Sequence, residues 1–311
     1  MNSPAALRTW VRRALALALL LLPMLALAST ATEPSKRLKI GITLHPYYSF
    51  VANIVGDKAD VVPLIPAEAN PHNYQPQPDD IARAMTLDAL VVNGIGHDEW
   101  AQEIVKAAGR LDDLPIIQAN ASVALIPIGG DQGGGKVVNP HTFVSTTAAI
   151  QQVFEIARRL GELDPANART YRQNALAYAG RIRALRARYM TRFAGLDLSN
   201  FRCATTHGGY DYMLQEFGLF VTAVIEPRHG VAPTARQLAT TLDTIKKAHV
   251  QVLFAEKSFS LDLAKPIEAA TGVKVFALSH INGTQFSADE FETAMRDNIE
   301  TLAEAVEYTQ R

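Results

Sequence analysis

Short apolar runs alternate with amphipathic stretches along most of the chain, in two series that can be laid one upon the other. In the first, 38–43 reads as a strand, 47–55 as a helix, 61–65 as a strand and 79–85 as a helix. A strand over 89–93, a helix over 99–108 and a strand over 115–118 complete it. The order then recurs: strand 201–205, helix 210–217, strand 221–225, helix 235–248, strand 250–255, helix 261–271 and strand 274–278. Parallel strands need a crossover long enough to hold a helix, so this alternation implies parallel sheets with helices on both faces. The expected fold is α/β with two doubly wound lobes, 29–163 and 196–311, each long enough to bury its own apolar interior.

Between the series, Tyr171, Ala175, Tyr178, Ile182, Leu185, Tyr189 and Phe193 recur in steps of three and four, marking one face of a helix. Such a helix is roughly 40 Å long. It is expected to join the lobes over 164–195 as a rigid connector that resists wide hinge opening. Asp164-Pro165 supplies its start signal and Gly195 its end. The glycine-rich piece 129–135 lacks the Gly-Lys-Ser/Thr ending of a phosphate loop, and no Gly-x-Gly-x-x-Gly follows the first strand. No nucleotide cofactor is indicated.

The amino terminus carries Arg8, Arg12 and Arg13, then an apolar run over 14–28 that is short for a membrane span, then polar residues from Ser29. This is the pattern of a signal peptide over 1–28, with Ala26-Leu27-Ala28 as the small residues before cleavage. No cysteine near that point offers a lipid anchor, so the mature chain is expected to be soluble, without stable membrane insertion, in a periplasm. Removing the signal leaves 27 basic against 31 acidic residues, a net charge of −4, which argues against nucleic acid as a partner. Cys203 is the one cysteine and has no partner for an internal disulfide.

In an open parallel sheet, ligands collect beyond the carboxyl ends of the strands. His45, His72 and His97 follow the first three strands, and His141 comes after an apolar run and the glycine loop. His207, His229 and His280 follow strands of the second series, and His249 alone, at a helix end, lies elsewhere. Packing does not explain seven of eight histidines at one edge of two sheets, whereas metal coordination by neutral imidazole does. There is no compact His-Glu-x-x-His motif, so a site must be assembled from distant loops. Asn70-Pro71-His72 and Asn139-Pro140-His141 share one local form, and His207 lies in the turn Thr205-Thr206-His207-Gly208-Gly209. His45 and His97 read as residues that line the cleft or orient a ligand rather than as ligands. For His97, beside Asp98 and Glu99, a charged first turn of a helix is the alternative. His229 reads as a solvated loop.

On these three histidine motifs the chain resembles the zinc and manganese solute-binding proteins of ABC importers, across essentially the whole mature sequence. Asn70 to Pro76, Asn139-Pro140-His141 and Thr205-Thr206-His207 are similar to that family's three histidine ligand motifs. Asn93-Gly94 ahead of Trp100, and Phe254-Ala255-Glu256, look like further landmarks. The resemblance implies two lobes joined by one long helix, metal in the interlobe cleft, no enzymatic turnover, and a membrane permease as partner to a monomeric carrier. Where the family has Leu-Asp-Pro-Leu with Asp as fourth ligand, this chain reads Leu278-Ser279-His280-Ile281. The fourth position then falls to His280, to Glu256 or to water. His280 is favoured as the stronger donor, and Glu256 reads better as a residue that orients an imidazole. The family's histidine-rich loop is replaced by glycines, Asp131 and Lys136.

Several imidazoles suit Zn²⁺, whereas Mn²⁺ sites lean on carboxylates, so zinc is the expected cargo ahead of manganese. The rival readings are a metallochaperone or adhesin of the same fold, and a zinc hydrolase with three histidines and an open position for water.

Overall fold

The structure, a computed structural model, describes residues 37–131, 136–226, 233–257 and 261–311. The signal peptide, His229 and much of the glycine loop lie outside the described residues. No helix among the described residues is long and apolar enough to cross a membrane.

The first sheet contains β1 (Leu38–Ile42), β2 (Ala59–Pro63), β3 (Ala89–Val92) and β4 (Ile116–Gln118), with α1 (His45–Val55), α2 (Pro78–Ala84) and α3 (Trp100–Ala107) between them. The second contains β7 (Cys203–Thr205), β8 (Val221–Val224), β9 (Val252–Glu256) and β10 (Lys274–Leu278). Its crossovers are α6 (Asp211–Glu216), α7 (Ala235–Lys247) and α8 (Leu261–Thr271). Every pairing in both sheets is parallel. The strand orders are β2-β1-β3-β4 and β10-β9-β7-β8, one topology used twice. In each the order reverses beside the first strand, at β1/β3 and at β7/β9, which is where an open sheet forms its ligand crevice. An antiparallel hairpin of β5 (Pro127–Asp131) and β6 (Lys136–Val138) stands apart, where the sequence suggests only a loop.

Alternation along each strand decides which layer a side chain joins. Ala89 and Val91 of β3 face the inner core, and Leu90 and Val92 an outer layer with Leu64, Trp100 and Ile104. In β9, Val252 and Phe254 point inward, while Leu253 and Ala255 join Ile225, Ile245 and Ile267 outside. The two outer layers are separate, but the inner faces of both sheets share one continuous core.

Two long helices outside the alternation build that shared core. In α4 (Thr146–Leu163), Ala149, Val153, Ile156 and Leu160 are buried, and Ser145 caps the start by accepting from the Ala148 amide at 3.0 Å. In α9 (Glu290–Tyr308), Phe291, Met295, Ile299, Leu302 and Val306 form the inner stripe. Alongside them runs α5 (Ala168–Phe193), whose 26 residues span about 39 Å. It buries Tyr171, Ala175, Tyr178, Ile182, Tyr189 and Phe193, the stripe expected of the connector, with Leu185 partly buried. Its start is later than expected, because Asp164 ends α4 and Asn167 precedes the first turn of α5. The Asp164 carboxylate accepts from Tyr171 Oη at 2.7 Å and Asn167 Nδ2 at 2.8 Å, tying the two helices together.

Candidate metal centre

The repeated Asn-Pro-His sequences make the same turn. Asn70 Oδ1 accepts from the His72 amide at 3.0 Å, and Asn139 Oδ1 from the His141 amide at 3.0 Å. Proline between them fixes the backbone torsion that lets the asparagine reach two residues ahead. The first turn is pinned by Trp100 Nε1, which donates to the Pro71 carbonyl at 3.0 Å. The second is pinned by Asn139 itself, whose Nδ2 donates to the Gly208 carbonyl at 2.7 Å and to Asp211 at 2.9 Å. With its amide nitrogen so engaged, Asn139 must present oxygen to His141, and His141 Nδ1 donates to it at 2.8 Å. That bond selects the tautomer with the Nε2 lone pair facing inward. His141 Nε2 stands 3.4 Å from His72 Nε2.

His207 enters from the switch point of the second sheet. Its Nδ1 is 3.5 Å from Glu256 Oε2 at the end of β9. A Cβ on Gly209 would lie 2.3 Å from His207 Nε2, so the turn needs glycine there to leave the ring its place. His280 follows β10 on a segment held tightly by its neighbours. Asn298 of α9 accepts from the Ser279 amide at 2.7 Å and donates to the Ser279 carbonyl at 2.8 Å, while Ser279 Oγ accepts from the Ile281 amide at 3.0 Å. Ile281 takes φ of 56°, a left-handed conformation that is strained for a β-branched residue.

The four expected histidines come together. One ring nitrogen from each of His72, His141, His207 and His280 lies within 4.8 Å of the others, and the six ring-centroid separations run from 4.9 to 5.9 Å. Burial, reinforced by the surrounding histidines, holds the His280 pKa well below the usual imidazole range, so that ring is a neutral donor. Glu256 is pushed up to about 8 by burial and by the nearby Glu226 carboxylate. His72, His141 and His207 line an open cleft that also carries Glu99, Asp211 and Glu226, an acidic mouth suited to attracting cations. Four imidazoles converging on one point are a donor set suited to holding a cation.

The structure separates the two readings of His97. His97 is 3 % exposed, its ring 4.2 Å from that of His72 and 5.0 Å from that of His141, with Phe143 at 5.1 Å. It does not belong to a solvated first turn. Asp98 is buried and accepts from Thr43 Oγ1, from the Asn93 amide at 2.7 Å and from the Gly94 amide at 3.0 Å. Gly94 and Gly96, at φ of 72° and 107°, turn the chain back so that His97 points under the cluster. Burial lowers its pKa to about 4. His45 lines a small pocket beside His280, stacked on Phe286 at 4.6 Å with Nε2 3.0 Å from the Gln285 carbonyl oxygen, consistent with cleft lining. His249 follows α7 at φ of 52°, as a helix end.

Among solved structures, the substrate-binding protein FpvC of Pseudomonas aeruginosa in complex with Mn²⁺ is 51 % identical with a TM-score of 0.84, covering 88 % of this chain and all of that one. The iron-binding protein YfeA of Yersinia pestis is 26 % identical over 88 % of this chain and 87 % of its own length. The manganese ABC transporter substrate-binding lipoprotein PsaA of Streptococcus pneumoniae is 26 % identical over 89 % of this chain and 92 % of its own. The family described as zinc-uptake complex component A, periplasmic, matches residues 40–305. The chain therefore belongs to that family, the metal-binding substrate-binding proteins of ABC importers, and is not an enzyme.

Proposed function

We propose that His72, His141, His207 and His280 together bind one divalent transition-metal ion as cargo, with zinc the preferred ion, and that the chain delivers it to a membrane permease. The observation that carries this reading is the convergence of four imidazole nitrogens within 4.8 Å from segments scattered across the whole chain. Lobe 29–163 contributes two and lobe 196–311 the other two. The 3.4 Å between His72 Nε2 and His141 Nε2 supports zinc, because a tetrahedral ion with Zn–N near 2.05 Å separates its ligands by about 3.3 Å. The absence of a carboxylate from the converging set argues against manganese as first preference. Export through the amino-terminal signal, with cleavage after Ala28, releases a soluble monomeric carrier into the periplasm.

Elemental analysis and competition titration of the mature protein test this reading. One zinc per chain is expected, with affinity markedly weakened by His280→Ala. A preference for Mn²⁺ over Zn²⁺ would remove zinc as cargo, and no bound metal would remove the reading altogether.

A further inference from the structure

Buried histidines ordinarily satisfy at least one ring nitrogen, because a desolvated polar atom without a partner is costly. His97 breaks that rule: neither Nδ1 nor Nε2 has a hydrogen-bond partner among the described residues. The ring packs among other rings, with His72 at 4.2 Å, His141 at 5.0 Å, Phe143 at 5.1 Å and His280 at 6.0 Å. Its backbone, by contrast, is fixed by the hydrogen bonds to Asp98 from β1 and the β3 turn. A ring anchored at its base, touching three of the four converging imidazoles and engaged by no hydrogen bond, can turn about its side-chain torsions without breaking one.

We propose that His97 is a fifth donor of the centre, joining the coordination shell of ions that take more than four ligands and standing aside for ions that take four. His97 is outside the set of four whose nitrogens converge, so the resting arrangement is the four-coordinate one. Zinc in a closed protein site is satisfied by that arrangement. Nickel and ferrous ions, which also accept imidazole, favour larger shells, and His97 supplies the added nitrogen from within the protein. The residue thereby broadens which ions the carrier retains. This inference rests on the reading that the four converging histidines hold the cation.

The test compares Zn²⁺ and Ni²⁺ affinities of the wild type and His97→Phe, which keeps a ring against Phe143 and His72 but removes both nitrogens. Nickel affinity is expected to fall about 10- to 100-fold and zinc affinity by much less, so that the ratio of the two shifts. Equal losses for both ions, or no loss for either, would overturn the fifth-donor role while leaving the four-histidine site intact. Failure of the wild type to bind either ion would instead overturn the four-histidine reading itself. X-ray absorption of the nickel-loaded wild type needs no variant to fold: five imidazoles around nickel are expected, and four would refute the proposal.

Discussion

Asn139 is the residue whose loss should separate orientation of a ligand from its presence. It is 1 % exposed and its side chain makes four hydrogen bonds: two donated by Nδ2, to Gly208 and Asp211, and two accepted by Oδ1, from the His141 amide and His141 Nδ1. Asn139→Ala abolishes all four and strands buried partners on two different loops. At about 0.5–1.5 kcal/mol for each hydrogen bond, the expected destabilisation is about 2–6 kcal/mol, read as a shift in the urea midpoint of the metal-free protein. Metal affinity should fall about 10- to 100-fold, because His141 loses the acceptor that fixes its tautomer and ring angle. Asn139→Asp divides the two effects. It keeps an acceptor for His141 but turns a second oxygen toward the Gly208 carbonyl and the Asp211 carboxylate, so stability should suffer more than affinity. The cycle with His141→Ala completes the assay: once His141 is gone, Asn139→Ala should cost affinity little further. Additive losses in that cycle, or an Asn139→Ala protein with wild-type affinity, would refute the claim that Asn139 acts through His141.

Three further outcomes follow from the same geometry. Gly209→Ala should weaken metal binding by at least about tenfold with helical and sheet content retained, since its Cβ would meet the His207 ring; unchanged affinity by titration would contradict that clash. Asn298→Ala, far in sequence from any ligand, should lower stability by about 1–3 kcal/mol and weaken binding through the His280 segment, and a calorimetric scan matching the wild type would contradict it. In the metal-free protein, acid should be destabilising across a defined window. His97 stays neutral in the fold down to about 4, while its unfolded counterpart takes a proton near 6.5, so stability is full above 6.5 and is lost progressively toward pH 4. For this one group the loss is about 3 kcal/mol, and a flat urea midpoint over that window would refute it.

The alternation of strands and helices is a local property, and each of the fourteen segments read from it is present, shifted by no more than about two residues at either end. The shared core is less legible because it depends on which faces meet, and α4 and α9 lie outside the repeating pattern that organises the rest. Their signals were present nonetheless: Ser145 ahead of an amphipathic run, and Phe291, Met295, Ile299, Leu302 and Val306 at helical spacing. The Asn-Pro-His motifs were readable because each asparagine acts on a histidine two residues away. His97 was not, since its surroundings are made by Thr43, 54 residues earlier, and by Phe143, 46 residues later. Beside Asp98 and Glu99 it looks like part of a charged turn, and only the burial of Asp98 under β1 reveals otherwise. Its position after β3, one side of the topological switch, was the available clue.

The inner core that runs unbroken from one sheet to the other has a consequence for timing. A clamp whose jaws share an interior loses little conformational freedom on gripping, so the ordering is completed during folding rather than at each encounter. With the proposed four-histidine site, capture is then expected to be quick and the dwell time to be set by breaking metal–nitrogen bonds. Such a carrier has little means of letting go by itself. Unloading becomes work done on it from outside, and a permease that draws on ATP must prise at the frame before the ion can leave.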